Sequence, residues 1–337
     1  RGDKQDNMME SEDFIDAQLG IPVFSLYGTV RRPTAAMLDT FDVLLVDLQD
    51  LGCRIYTFIT TLRYVLEAAA QAGKAVWVLD RPNPVGRPVE GLTLRLGWES
   101  FVGAGAMPMR HGLTLGELGL WFIHTLKLTL DYHIVPMLGW QPDAAPGYGW
   151  PDRVWINPSP NAPNVMMARC YPGTVMLEGT TLSEGRGTTR PLEICGAPDL
   201  DMAQVLRVLE RLVPGALHGC RVRPCWFEPT FHKHVGKLCA GLHLHPEPPY
   251  YQHDAFRPWR VQALIFKAIR SLHPDYPLWR DFPYEYEFGK LPIDVINGSP
   301  LLRQWVDDPA ATVADLEAMA TADETAWREV QRAFLRY

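Results

Sequence analysis

Short apolar runs alternate with helical patterns along the first half of the chain. The pattern predicts two helices, at 60–72 and 114–126, and four strands, at 21–26, 41–46, 75–79 and 131–137. Strands that alternate with helices predict an α/β fold with a parallel, doubly wound sheet. The continuous apolar run at 41–46 is typical of a strand that is buried on both faces.

The pattern changes twice in the second half of the chain. Residues 138–174 are rich in Gly, Pro, Asn and Trp, which predicts a long loop of the kind that usually has a function. Beyond it, the pattern predicts helices at 199–212, 256–272 and 312–337, and strands at 220–227 and 241–245. We therefore expect two domains, a catalytic one at 1–197 that holds the parallel sheet and a smaller auxiliary α+β one at 198–337.

The composition excludes several classes of function. The formal net charge of -7 argues against a protein that binds nucleic acid, because such proteins present a basic face. No segment is long and apolar enough to predict a membrane span. The pairs Gly103-Ala-Gly105 and Gly185-Arg-Gly187 do not follow a clear strand and lack a third glycine, so they do not predict a dinucleotide site.

The segment Leu177–Glu193 is the strongest candidate for a functional site. It holds three carboxylates, two arginines, five hydroxyl side chains and three glycines. Glycines let the backbone approach a ligand closely, and arginines bind carboxylates and phosphates. The segment therefore predicts a site for a small polar ligand that carries negative charge. A tight turn with surface ion pairs is the alternative.

Polar residues at the ends of predicted strands are further candidates. Asp47 and Asp80 each follow a strand, at the edge of a parallel sheet where ligands usually bind. Either aspartate could instead cap a helix or brace a loop. Arg81 follows Asp80 in a turn stiffened by prolines, while Arg110 and His111 precede the capped helix at 114, whose amino terminus attracts anions.

Four histidines in the second half suggest a different chemistry. His232, His234, His243 and His245 form two His-x-His pairs, and such a pair on a strand places both rings on one face, as a metal site requires. No acidic or thiolate partner lies at a suitable spacing. The histidines could equally line an interface between the domains.

Eleven ordered segments resemble the NamZ-type exo-β-N-acetylmuramidases, and the resemblance spans nearly the whole chain. In order, the segments are Phe41–Asp50, Gly52–Thr57, Leu79–Pro84, Val89–Gly91, Ser100–Gly103, Arg110–Gly112, Ser159–Asn161, Tyr171–Thr174, Glu178–Pro191, Phe231–His234 and Asp254–Pro258.

The resemblance implies a fold, a reaction and a set of partners. It implies a Rossmann-like amino-terminal domain, a smaller auxiliary domain and a cleft between them, with no nucleotide or other cofactor and no metal. It implies hydrolytic release of N-acetylmuramic acid from the non-reducing ends of peptidoglycan fragments, so the expected partners are muropeptides or disaccharides. It favours an extracellular or periplasmic location, with the cytoplasm left open.

The start of the chain departs from the family pattern. Family members usually carry a first strand–helix–strand unit that ends in Glu-His-Gly-Phe, just before the segment that here is Arg1-Gly2-Asp3. The Glu of that unit is a leading candidate for a catalytic carboxylate. We therefore expect this chain to lack one candidate acid, which leaves its own activity open and makes a non-catalytic sugar-binding protein an alternative.

Glycoside hydrolysis usually needs two carboxyl groups that flank the bond. Within the chain, Glu184 is the first candidate and Glu178 the second, and the nearby Arg186 favours an ionised carboxylate over a proton donor. The acetamido group of the sugar could instead act as the nucleophile, oriented by Asp47 or Glu184.

A larger set of residues is expected to bind the substrate. The lactyl carboxylate of muramic acid needs a cation, while Asn161 and Asp80 are candidates for binding sugar hydroxyls. The cation candidates are Arg81, Arg110, Arg186 and Arg190. The full expected set is Asp47, Arg54, Asp80, Arg81, Asn83, Arg110, His111, Asn161, Arg186 and Arg190.

Overall fold

The computed structural model describes residues 10–337, so the Arg1-Gly2-Asp3 segment lies outside the described part. The strands are β1 (Phe14–Ile15), β2 (Pro22–Val23), β3 (Val43–Val46), β4 (Ala75–Leu79), β5 (Tyr132–Val135), β6 (Ile194–Ala197), β7 (Arg221–Phe227) and β8 (Cys239–His245). The helices are α1 (Ala35–Leu38), α2 (Phe58–Ala72), α3 (Leu115–Leu126), α4 (Val165–Thr174), α5 (Met202–Leu212), α6 (Pro258–Leu272), α7 (Pro292–Asn297), α8 (Leu301–Asp307) and α9 (Val313–Gln331), and a 3₁₀ helix spans Val175–Gly179.

A parallel sheet in the order β3-β4-β5 forms the first half, as the pattern predicts for an α/β protein. Helices α2 and α3 pack on the face that carries Val46, Val76 and Val78. Helix α2 ends at Gly73, whose left-handed backbone (φ 64°) suits a residue without a side chain. Helix α3 begins with the predicted capping box between Thr114 and Glu117.

The opposite face of this sheet differs from the prediction. Leu45 on β3 is 57% exposed, Val43 is also exposed, and Trp77 beside Leu45 on β4 is partly exposed. The expectation that strand 41–46 is buried on both faces is therefore wrong for residues 10–337. The two helices that connect these strands both pack on the same face of the sheet. An apolar strand sequence alone therefore predicts more burial of the opposite face than the structure shows.

A second, antiparallel sheet has the order β6-β8-β7 and is covered by helix α5, which packs in turn on α6. This antiparallel sheet agrees with the expected α+β character of the second half. Strand β6 ends at Ala197, where the domain boundary is predicted, yet it pairs with β8 of the second sheet. The division into 1–197 and 198–337 stays a prediction.

Two local predictions are wrong. The strand expected at 21–26 is only the short β2, which pairs with β1 in a hairpin outside the parallel sheet. The loop expected at 138–174 ends in helix α4, although Pro172 and Gly173 are poor helix formers. Asn164 caps this helix, and Gly173 lies so close to Pro258 that an added Cβ would be 2.1 Å from its carbonyl oxygen. Packing against α6 therefore overrides local preference.

The last helix joins the two halves of the core. Leu316 and Ala320 of α9 belong to the large hydrophobic cluster that surrounds α6. Trp327 of the same helix belongs to the cluster beneath the parallel sheet. No helix among residues 10–337 combines the length and apolar character that crossing a bilayer requires.

Candidate functional site

The segment 177–193 is folded into the interior. Glu178 lies in the 3₁₀ helix, and the chain then turns through Gly185 and Gly187, both with positive φ (75° and 83°), before it enters β6. A Cβ at Gly187 would lie 2.7 Å from the backbone of Phe231, so only glycine fits this close approach. Because Glu184 and Arg186 are buried, the alternative of a turn with surface ion pairs does not describe them.

Glu184 is a fully buried carboxylate in contact with three basic side chains. Its carboxylate oxygens lie 2.9 Å from Lys233 Nζ, 3.2 Å from Arg186 Nε and 3.2 Å from His232 Nδ1. Burial by itself raises the pKa of Glu184, but these three neighbours outweigh burial and hold the pKa far below its usual value. These contacts favour the ionised carboxylate of Glu184 and make this residue a poor proton donor.

Glu178 shares Arg186 with Glu184. The Arg186 guanidinium donates to Glu178 Oε1 at 2.6 Å, and the Tyr284 hydroxyl donates to Oε2 at 2.6 Å. Burial lowers the pKa of Arg186, but Glu178 and Glu184 outweigh it and raise the pKa. The structure therefore brings both predicted catalytic glutamates together around one guanidinium. They differ in access, because the side chain of Glu178 keeps 12% of its surface exposed.

Lys233 is a site residue that the sequence argument missed. Its ammonium donates to the carbonyl oxygens of Leu177, Thr180 and Leu182, at 2.7, 3.1 and 2.8 Å, in addition to its pair with Glu184. Burial lowers the pKa of Lys233 more than Glu184 raises it. The sequence signal for Lys233 is the Phe231–His234 segment, in which a lysine between two histidines indicates no role of its own.

The four histidines do not converge on one site. His232 contacts Glu184, and His234 contacts the carbonyl oxygen of Thr181 at 2.8 Å. His243 and His245 stack on β8, with ring centroids 3.7 Å apart. Within residues 10–337, no group of three or more His, Cys, Asp or Glu side chains could hold a metal ion. The geometry therefore does not favour a metal-dependent hydrolase.

The two aspartates at the strand ends have different surroundings. Asp47 is half exposed and pairs with Arg81 at 2.6 Å, so both side chains remain at the sheet edge. Asp80 is buried and accepts hydrogen bonds from Thr114 Oγ1, Gly116 N and the Tyr337 hydroxyl. Asp80 therefore braces the start of α3, which is the alternative that the sequence left open.

Three other residues expected to bind the substrate instead form hydrogen bonds with backbone groups. Arg54 is fully buried and donates to the carbonyl oxygens of Leu92, Met107 and Ile296. Arg110 donates to the carbonyl oxygens of Val85 and Phe256. Asn83 bonds to the backbone of Val85 and Leu113. These contacts hold loops in place and leave the three side chains away from Glu178 and Glu184.

The remaining candidates are spread over the molecule. His111 is buried beside Asp50, with 3.5 Å between Nε2 and Oδ2, and Asn161 is also buried. Arg190 pairs with Glu193 at 3.1 Å and keeps a partly exposed side chain. Of the four arginines expected at the lactyl group, only Arg186 contacts a predicted catalytic glutamate. Which of the four candidate arginines binds the lactyl group stays a prediction.

The fold and site together define a two-part α/β protein with a buried cluster of carboxylates and cations on a glycine-bearing loop. The family model described as the amino-terminal part of the exo-β-N-acetylmuramidase NamZ matches residues 1–166. The model of the carboxy-terminal part matches residues 169–337. The chain therefore belongs to the NamZ family of exo-β-N-acetylmuramidases.

Individual relatives agree with this assignment. The chain is 39% identical over 276 residues to the peptidoglycan β-N-acetylmuramidase NamZ of Bacillus subtilis (strain 168). This match covers 82% of the chain and spans 64% of the length of the Bacillus protein. Two crystal structures of DUF1343 family proteins from Bacteroides fragilis NCTC 9343 have TM-scores of 0.82 and 0.74, at 30% and 26% identity. Each of these two structural matches covers 96% of this chain and 82% of the matched Bacteroides chain.

Proposed function

We propose that the protein is an exo-acting β-N-acetylmuramidase that hydrolyses the bond after a non-reducing terminal N-acetylmuramic acid in peptidoglycan fragments. The family match over both halves supports the reaction, and the name of the Bacillus relative supports the substrate. The observation that carries the proposal is the shared contact of Glu178 and Glu184 with Arg186, because carboxylates are the groups that glycosidases use.

Glu178 is the proposed catalytic carboxylate. Its exposed fraction and its short contacts to Arg186 and Tyr284 suit a base, nucleophile or charge stabiliser. Glu184 has no exposed surface, so its proposed role is to hold Lys233 and Arg186 in position beside Glu178. This order reverses the preference from sequence, which placed Glu184 first.

The lactyl carboxylate of the sugar requires a cationic side chain that is accessible to the substrate. Arg81 and Arg190 are partly exposed, and each already holds a carboxylate that an incoming lactyl group could replace. Arg54 and Arg110 are buried and bonded to carbonyl oxygens, so we assign them to structure. Asp47 stays a proposed ligand of sugar hydroxyls, because its side chain is half exposed at the sheet edge.

The test compares the protein with its Glu178→Gln variant on a chromogenic β-N-acetylmuraminide and on muropeptides. We expect the wild-type protein to release free N-acetylmuramic acid, and the variant to lose about 10²- to 10⁴-fold in kcat/KM. The Glu210→Gln variant is the control, since this side chain is exposed on α5 and contacts neither glutamate.

Other outcomes would contradict the proposal. Binding of muropeptides without release of sugar would favour a non-catalytic carbohydrate-binding protein. Loss of activity with a chelator would favour the histidine-based metal hydrolase. Near-native turnover of Glu178→Gln would remove Glu178 from the catalytic residues while leaving the reaction class intact.

A further inference from the structure

A tight turn near the site holds two consecutive residues in a rare conformation. Glu285 and Tyr286 have φ values of 48° and 68°, and reciprocal backbone hydrogen bonds between Tyr284 and Glu287 close the turn around them. Two-residue turns of this kind favour Asn and Gly, because side chains strain the left-handed backbone. Retained strain of this sort is common at functional sites.

The Glu285 carboxyl lies beneath this turn. Glu285 is only 8% exposed, whereas the next residue, Tyr286, is 54% exposed. The Oε2 atom of Glu285 is buried and has no hydrogen-bond partner, and no ion pair joins Glu285 to any residue between 10 and 337. A buried polar group without a partner is costly, so a fold usually keeps one only for a reason. Glu287 on the same turn, in contrast, pairs with Lys290 at 3.1 Å.

The turn is tied directly to the proposed catalytic carboxylate. Tyr284, the residue before Glu285, donates its hydroxyl to Glu178 at 2.6 Å. On the other side, the Arg31 guanidinium contacts the Tyr286 hydroxyl and lies 4.8 Å from its ring centroid. The turn that carries Glu285 is therefore linked through Tyr284 to the Glu178 cluster and through Tyr286 to the loop that carries Arg31.

The surroundings of Glu285 favour the neutral form of its carboxyl. Burial raises the pKa of Glu285 to about 7, the negative charge of Glu178 adds to this effect, and Arg31 opposes it. The other titratable groups that face it are the phenols of Tyr27 and Tyr284. The ion pair that Arg31 makes is with Glu10, at 3.6 Å, and its guanidinium donates hydrogen bonds to the carbonyl oxygen of Gly28 and to Tyr286.

Glycosidases need a carboxyl group that is protonated at working pH to assist the leaving group. Glu184 is poorly suited to supply this proton, because Lys233, Arg186 and His232 lower its pKa and favour the carboxylate. Glu178 accepts hydrogen bonds from Arg186 and Tyr284 on its two oxygens, an arrangement that suits a carboxylate. The unpaired Glu285 beside it is the complementary group.

We infer that Glu285 is the proton donor of the reaction proposed above, on which this inference rests. Glu285 gives its proton to the glycosidic oxygen as the bond from that oxygen to the anomeric carbon breaks. The leaving sugar departs as a neutral alcohol, and Glu285 becomes a carboxylate. A water molecule then bonds to the anomeric carbon, and the proton that this water loses restores Glu285.

The dependence on the leaving group tests this role. We expect Glu285→Gln to lose about 10²- to 10⁴-fold in kcat/KM on a disaccharide of N-acetylmuramic acid and N-acetylglucosamine. The 2,4-dinitrophenyl β-N-acetylmuraminide has a leaving group that needs no proton, so on it the variant should stay within about tenfold of the wild type. Glu287→Gln, on the same turn, should match the wild type on both substrates.

The pH profile gives a second readout. Because a donor must be protonated, wild-type activity on the disaccharide should fall as the pH rises above about 7, and Glu285→Gln should lack this alkaline fall. Glu285→Asp keeps a carboxyl group, so we expect lower activity that still falls as the pH rises. This variant is the control for a folding defect in Glu285→Gln.

The outcomes separate the two proposals. If Glu285→Gln lowers activity equally on both substrates, or if the alkaline fall persists without the carboxyl group, Glu285 is not the proton donor. In either case the wild-type protein still releases the sugar, and the proposed function stands. If the wild-type protein releases sugar from neither substrate, the proposed function itself fails, and the donor role fails with it.

Discussion

Glu184 is the most constrained charged residue of the site. Its carboxylate is fully buried and contacts Lys233, Arg186 and His232, so its charge is balanced by neighbours and not by solvent. Buried ion pairs cost free energy to desolvate, but removing one partner from such a group strands the others and destabilises the fold. This arrangement leads to a defined dependence of stability on pH.

We predict that Glu184→Gln lowers the free energy of unfolding by about 3–5 kcal/mol at pH 7. The folded-state pKa of Glu184 lies far below the unfolded value of about 4.3, so its stabilising contribution is complete above that value and decreases as the pH falls through it. Urea unfolding at pH 7, 5, 4 and 3 should therefore show that the difference in the free energy of unfolding between Glu184→Gln and the wild type becomes smaller below about pH 4. A gap that stays constant or widens on acidification would contradict this account.

Sequence predicts the residue types of the site better than their arrangement. The segment around Glu178 and Glu184 can be recognised from its high content of charged residues and glycines. In the structure both glutamates contact Arg186. Glu285 gives no such signal, because a Tyr-Glu-Tyr-Glu run predicts a strand and contains neither Asn nor Gly to mark a left-handed turn. Its strain is visible only once the backbone is known.

At the scale of elements, the ends of strands β3 and β4 show how similar signals acquire different roles. Each strand is followed directly by an aspartate, but only Asp80 is enclosed by the start of α3 and by the Tyr337 hydroxyl. Asp47 has one partner, Arg81, and both side chains remain partly exposed. The difference comes from the connection that follows each strand, which a local pattern does not contain.

We predict that Asp80→Ala lowers the free energy of unfolding by about 2–3 kcal/mol, because it leaves the Thr114 hydroxyl and the Gly116 amide without their hydrogen-bond acceptor. The matched variant Asp47→Ala removes an exposed pair and should cost less than about 1 kcal/mol. Denaturant unfolding of both variants checks the difference. Equal effects would show that Asp80 does not brace α3.

Element boundaries follow from sequence where local signals agree with packing. Strand β4 and helix α3 lie where the pattern places them, and Thr114 makes the predicted capping box. Helix α4 was missed because Pro172 and Gly173 indicate a loop, whereas the contact with Pro258 requires a residue without a side chain. The packing partner lies far along the chain, beyond the reach of a local pattern.

At the scale of the whole molecule, the match to two family models does not correspond to two separate cores. The large hydrophobic cluster includes Leu51 from the first half and Ile265 from the second. Helix α9 reaches back to the first half, where the Trp327 indole donates to the carbonyl oxygen of His111 at 2.8 Å and its ring meets Trp121. We therefore expect the two halves to unfold together.

Calorimetry should show a single transition for the wild type, with equal calorimetric and van't Hoff enthalpies. Trp327→Ala should cost about 3–5 kcal/mol and shift that transition as a whole to lower temperature. Val330→Ala, at an exposed position of the same helix, should change stability by less than about 0.5 kcal/mol. Two separated transitions in either protein would show that the halves are independent.

The position of α9 also bears on how the protein is made. A ribosome releases the parallel sheet and its helices before the second sheet and α9, but Trp327 and Phe334, which complete the cluster beneath that first sheet, follow only after the second sheet has been made. Until then the nascent chain presents an open apolar surface, a condition in which chaperones bind and aggregation competes. Vectorial synthesis therefore delays completion of the core beneath the parallel sheet until helix α9 has been made.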